Sequence, residues 1–209
     1  MNAREAVTAV VVAGGKSTRF GSDKASAIVA GRPLLGWVVR GVSPACEALV
    51  VVRAEGQALP EAATDRPVKV VDDLYEGKGP LAGLVAGLAA CETPLAFAVS
   101  CDVPLVRSDL VTGLAGLAAE NDIVIPHVDG FPQPLLAIYR VESCLPVFRR
   151  AVEEERLKIT HAFLGLRVRA AREPEVRAFD PDLESFTNLN RADDLSEIEA
   201  LLLKRGGHR

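Results

Sequence analysis

Aromatic residues make up only 5% of this 209-residue chain, and there are three histidines. The interleaved rings on which single-strand nucleic-acid binders stack bases are therefore scarce. Basic residues never run longer than a pair, and 24 Lys and Arg stand against 28 Asp and Glu for a formal charge of -4. A nucleic-acid partner is not expected from that balance. Cys46, Cys91, Cys101 and Cys144 form no CxxC pair, and His127, His161 and His208 fit neither HxxxH nor HExxH. That removes the usual zinc spacings and a disulfide framework, and buried thiols in a reducing, cytoplasmic setting are the expectation. The longest uncharged apolar stretch, Leu81 to Cys91, falls well short of the roughly 20 residues that span a bilayer. No membrane partner is expected, and Ala6 to Val12 reads as a core strand, not a secretory leader.

What is present is an alternation. Val7 to Val12, Ala48 to Val52, Val68 to Val71, Leu95 to Val99 and Ile123 to Ile125 are short apolar runs rich in β-branched residues, the pattern of strands buried on both faces. Between them Pro33 to Gly41, Leu81 to Ala90 and Ser108 to Ala119 have helical spacing. Strand and helix taking turns imply an α/β fold around a mostly parallel sheet, with ligands gathered at the carboxyl ends of the strands. Residues Gly130 to Asp182 are less regular, with a strand near Leu135 to Tyr139 and a charged helix near Glu142 to Arg156, and read as a cover over the sheet. The tail, Arg191 to Leu203, places Leu195, Ile198, Leu201 and Leu202 on one helical face. No repeat, low-complexity tract or linker divides the chain, so residues 1–209 are expected to form a single domain.

Three loops carry the candidate chemistry. After the first strand, Ala13 to Lys24 holds Gly14, Gly15 and Gly21 with Ser17, Arg19 and Lys24. Glycines let backbone approach a phosphate and line up N–H groups into an anion nest, and the cations supply charge. This is not a Walker A loop, because Val10 stands where its leading glycine belongs. A plain strand-to-loop turn with solvated lysines is the other reading. In Val99 to Leu105 an apolar strand ends on Asp102 and is stopped by Pro104. One carboxylate beside phosphate oxygens suits Mg²⁺, a hard cation that keeps several waters; the alternative is a cap for the helix that opens near Ser108, a task for which Ser108 is better placed. In Asp72 to Leu84, Gly79-Pro80 launches a helix with proline at its first position. Gly83 and Gly87 let that helix press on the sheet. Asp73 there is open to two readings, an acceptor for a base or ribose or a solvated carboxylate. Gly130 to Pro134 and Phe186 to Asn190 are turn-like segments that either line an acceptor pocket or close a turn.

Taken in order, Val12-Ala13-Gly14-Gly15 with Ser17, Arg19, Gly21, Asp23 and Lys24, then Gly79-Pro80-Leu81-Ala82-Gly83, Cys101-Asp102-Val103-Pro104, Gln133-Pro134 and Phe186-Thr187-Asn188-Leu189-Asn190 resemble the molybdenum cofactor guanylyltransferases and the wider MobA-like nucleotidyltransferase family. The likeness runs from Val10 to about Leu195. It implies a three-layer Rossmann-like nucleotidyltransferase fold that uses GTP and Mg²⁺, transfers GMP to the phosphate of molybdopterin and releases pyrophosphate, with possible handover to molybdoenzymes or other cofactor-synthesis proteins. By motif position, Arg19, Lys24 and Asp102 would be catalytic, with Asp102 also the metal ligand. Val12, Ala13, Gly14, Gly15, Ser17, Lys24, Asp73 and Asp102 would bind the nucleotide, and Asn188 and Asn190 would face the acceptor. The Ala-Gly-Gly start resembles the GTP users, where related cytidylyltransferases tend to carry Ala-Ala-Gly. Arg53 stands where the GTP-binding family often has Asn, and it takes that place among the nucleotide-binding candidates. Two further readings are a transferase that uses CTP or another NTP on a different phosphate acceptor, and a nucleotide-binding adaptor without turnover.

Overall fold

The computed structural model describes residues 5–14, 23–73, 75, 77–189 and 194–206. Its frame is a sheet whose strands are β1 (Val7–Val12), β4 (Ala48–Arg53), β5 (Val68–Asp72), β6 (Leu95–Ser100), β7 (Ile123–Val128), β9 (Leu136–Arg140) and β10 (Val168–Arg172), in the order β10-β7-β9-β6-β1-β4-β5. The short β8 (Phe131–Pro132) pairs with β7 as a hairpin, and β2 (Ile28–Val29) with β3 (Arg32–Pro33) forms a small ribbon apart from it. Strand β1 lies parallel to β4 on one side and to β6 on the other. The chain thus leaves β1 in one direction and later crosses to the opposite side, which opens a crevice at the carboxyl end of β1.

Period-two alternation explains why both faces are covered. Val7, Ala9 and Val11 pack with residues of α1 (Leu34–Val42) and α3 (Ser108–Gly116). Val10 and Val12 point the other way, into a second cluster with α2 (Pro80–Ala89) and α4 (Val141–Glu153). All six residues of β1 are buried, as a strand between two helical layers requires. The close approach of α2 depends on its glycines. A Cβ at Gly87 would lie 2.2 Å from Cγ1 of Val10, a distance that no packed core tolerates.

The region read from sequence as a cover is instead part of the sheet. Strand β9 runs antiparallel between β6 and β7, and β10 pairs parallel with β7 at the sheet's edge. The physical reason is that Leu136, Ala137, Ile138 and Tyr139 are all buried, and a segment apolar on both faces is satisfied only inside a sheet. Asp122 fastens this half: its carboxylate accepts from the backbone N–H of Arg167 at 2.8 Å and from Nε at 3.3 Å. These donors lower the Asp122 carboxyl to about 2. Helix α5 (Glu173–Arg177) follows β10, and α6 (Asp194–Gly206) closes the fold by placing Ile198 and Leu202 against Val29, Leu34, Leu105 and Leu189. Its predicted start at Arg191 lies outside the described residues.

Candidate functional site

A cavity of about 580 Å³ opens at the carboxyl ends of β1, β4, β5 and β6. Its walls include Val12 at the end of β1, Ala13 and Gly14 after it, Asp73 after β5, Asp102 after β6, and Lys24. Gly79 and Pro80, at the start of α2, also line it. The first backbone N–H groups of a helix have no internal partner and carry partial positive charge, so this end of α2 favours an anion. Pro80 occupies the first helical position as expected, behind Gly79 at φ 73°.

The decisive pair comes from opposite ends of the loop system. Nζ of Lys24 lies 3.1 Å from Oδ2 of Asp102, and the two side chains are only 15% and 22% exposed. Lys24 opens a short 3-10 turn, Lys24–Ser26, whose N-terminus is capped by Asp23. Asp102 follows the buried end of β6, where the backbone N–H of Cys101 donates to the carbonyl of Val12 at 3.1 Å. Asp102 caps no helix among the described residues. Nor does Ser108, against expectation: it is the first residue of α3, Arg107 holds the cap position, and no side chain closes that end. The neighbouring Cys101 is no nucleophile, because burial first, and then the Asp102 carboxylate, push its thiol up to about 12.

Gly14 lines the cavity and also has a structural role. The N–H groups of Ala13 and Gly14 both donate to the carbonyl of Val52, at 2.8 and 3.1 Å, and are engaged before any ligand arrives. A Cβ at Gly14 would come within 2.9 Å of the Ala54 nitrogen, so glycine is needed there for two strand ends to meet. Asp73 stands on the cavity wall with Oδ1 accepting from the N–H of Tyr75 at 3.0 Å. Arg53 does not line the cavity: Nε donates to Asp72 at 2.7 Å and Nη1 to the carbonyl of Gln57. Asn188 is exposed, in a segment tied to the site by the N–H of Leu189 donating to the Asp102 carbonyl at 2.8 Å. Leu135, just after Gln133-Pro134, lines the cavity. Gly15, Ser17, Arg19 and Asn190 lie outside the described residues.

One contributor is absent from every motif. Gln57 accepts from the N–H of Ala54 at 2.9 Å, which fixes the oxygen end of its amide. Its nitrogen then donates to Oδ1 of Asp23 at 2.7 Å and to the carbonyl of Ala13 at 3.3 Å. A single side chain thus ties both ends of the glycine-rich loop to the end of β4 and sets where Lys24 begins. The only hint in the sequence is a half-polar turn, Glu55-Gly56-Gln57, after a strand.

The MobA-like NTP transferase domain model matches residues 9–169 of this chain. The chain belongs to the MobA-like NTP transferase family. Within it, the chain is 33% identical over 200 residues to a molybdenum cofactor guanylyltransferase of Desulfosudis oleivorans, covering 95% of this chain and 96% of that one. A probable molybdenum cofactor guanylyltransferase of Chloroflexus aggregans is 34% identical over 204 residues, with 94% and 95% covered. Among solved structures, molybdopterin-guanine dinucleotide biosynthesis protein A from Archaeoglobus fulgidus superposes with a TM-score of 0.79 at 31% identity, over 94% of this chain and 99% of that one. The 2-C-methyl-D-erythritol 4-phosphate cytidylyltransferase of Thermus thermophilus, 17% identical with a TM-score of 0.69, shares the fold. This MobA-like transferase is therefore a nucleotidyltransferase, with the mostly parallel α/β architecture that the sequence implies.

Proposed function

We propose that this protein transfers GMP from GTP to the terminal phosphate of molybdopterin, forming molybdopterin guanine dinucleotide and releasing pyrophosphate. The observation that carries the reading is the Lys24–Asp102 pair, 78 residues apart in sequence and 3.1 Å apart at the mouth of the strand-end cavity. A phosphate oxygen of the acceptor forms a bond to the α-phosphorus of GTP as the bond to the bridging oxygen of pyrophosphate breaks. The acceptor is itself the nucleophile, so no side chain has to attack. The work of the protein is placement and charge stabilisation. Lys24 meets the triphosphate together with the start of α2, and Asp73 accepts from the nucleoside. Arg19 is assigned to the triphosphate and Asn188 and Asn190 to the acceptor, on motif position.

The residues present fit a magnesium ion. Asp102 reaches the cavity with Oδ2 on Lys24 and with Oδ1 accepting no hydrogen bond among the described residues. A single carboxylate suits a cation that shares its shell with phosphate and water. Asp102 would hold the ion, which when bound offsets charge on the departing pyrophosphate. No helix among the described residues is long and apolar enough to cross a membrane. We place the reaction in the cytoplasm, with the product passing to molybdoenzymes or to other cofactor-synthesis proteins.

The test is to supply GTP, CTP, ATP and UTP separately with Mg²⁺ and molybdopterin and to identify the product by mass. GTP-dependent formation of the guanine dinucleotide is expected. A cytosine dinucleotide would transfer the activity to CTP, and nucleotide binding without product from any of them would favour an adaptor.

A further inference from the structure

A second cavity, of about 560 Å³, lies on the other side of the loop that follows Asp102, and the proposed reaction makes no use of it. Pro104, Val106 and Arg107 form one wall, so residues 102–107 separate the two cavities. Four guanidinium side chains line it: Arg40 from α1, Arg66 from the loop before β5, Arg107 beside the start of α3, and Arg205 from α6. Asp65 and Asp109 are the carboxylates in its lining and Glu184 pairs with Arg205, which leaves a surplus of one positive charge in a chain whose overall charge is -4.

The partners of the arginines show which of them stand ready. Arg205 is engaged by the Leu105 carbonyl and by Glu184. Arg107 meets Asp109 at 2.9 Å, and that pair is well exposed, so it is worth little and easily traded for a stronger anion. Arg40 sits 5.8 Å from the centre of the Trp37 ring, and the Arg66 side chain makes no ion pair among the described residues. Trp37 is half-buried in the same lining, anchored by its indole N–H on the Val29 carbonyl at 2.7 Å. The cavity therefore offers forked donors matched to a phosphate beside an indole ring and apolar side chains, a combination suited to an organic anion.

We propose that this cavity binds a small phosphate monoester with a planar ring, its dianionic phosphate held by Arg66 and Arg107 and its ring against the wall that contains Trp37. The site is an open concavity lined by α1, α6, the start of α3 and the loop before β5.

Trp37 is the only tryptophan in the chain and lies in this cavity, not the other, so its emission reports on the site directly. Phenyl phosphate titrated at constant ionic strength is expected to change that emission saturably, with inorganic phosphate weaker. Affinity is expected to fall about tenfold or more in Arg66→Ala with Arg107→Ala, since charge-assisted hydrogen bonds are lost, and to stay the same in Lys24→Ala. No saturable change, equal affinity in the double variant, or loss of the response in Lys24→Ala would overturn the proposal. So would saturation by an oligo-aspartate peptide with no response to phenyl phosphate. Because the readout needs neither GTP nor turnover, it stands or falls apart from the transferase reading.

Discussion

The two halves of the sheet are held in different ways. Between β5 and β6 all the strands are parallel, and backbone and helix approach one another so closely that Gly14 and Gly87 admit no side chain. From β9 to β10 the sheet includes an antiparallel strand and is pinned by polar contacts, chiefly Asp122 with Arg167. The cavity with Lys24 and Asp102 belongs mainly to the first half, where the strand ends deliver loops to one edge. The half that presents the chemistry thus has the closest steric approaches, while Asp122 fastens the other. Changes at the cavity should cost turnover and spare the fold, and changes at the pin should do the reverse.

The largest effect is expected from Asp102→Ala, which should cut pyrophosphate release at least about a hundredfold, as removal of one preorganised charge-stabilising group does. The melting temperature should stay near that of the parent protein. Gly87→Ala tests the steric half: despite the better helix propensity of alanine, its Cβ meets Val10 at 2.2 Å, and urea unfolding should show a loss of about 1–3 kcal/mol. At the pin, Asp122→Asn should cost about 1–2 kcal/mol at neutral pH and leave the kinetics alone. The Asp122 carboxyl is lowered from 3.8 to about 2 in the folded state. Its contribution is therefore complete above the higher value and is lost as pH falls through the lower one. Urea midpoints taken between pH 5 and pH 2 should accordingly converge for parent and variant. The smallest effect is expected for Gln57→Ala, a rise of about threefold to tenfold in the KM for GTP with kcat nearly kept, because one or two hydrogen bonds that position Lys24 are removed. An unchanged KM would detach Gln57 from the site.

Much of this was legible in the chain because it is local. The runs Val7 to Val12 and Leu95 to Val99, the Gly79-Pro80 helix start, and the end of a strand at Asp102 each lie within a few consecutive residues, and their order implies the parallel sheet. What escaped depends on distant partners. Leu135 to Tyr139 reads as a short apolar strand, but nothing within it says that its neighbours are β6 and β7 or that it runs antiparallel to both. Gln57 looks like an ordinary turn residue until Ala13, Asp23 and Ala54 surround it. The glycine at position 14 is also required by the backbone of Arg53 and Ala54, which no local window shows.

The most direct measurement is pyrophosphate release from GTP with Mg²⁺ and molybdopterin, comparing the parent protein with a folded Asp102→Ala variant. GTP-selective release that depends on molybdopterin and collapses in the variant is the predicted result. Release at the parent rate by that variant would contradict the assignment of the strand-end cavity as the place where the phosphoryl bond is exchanged.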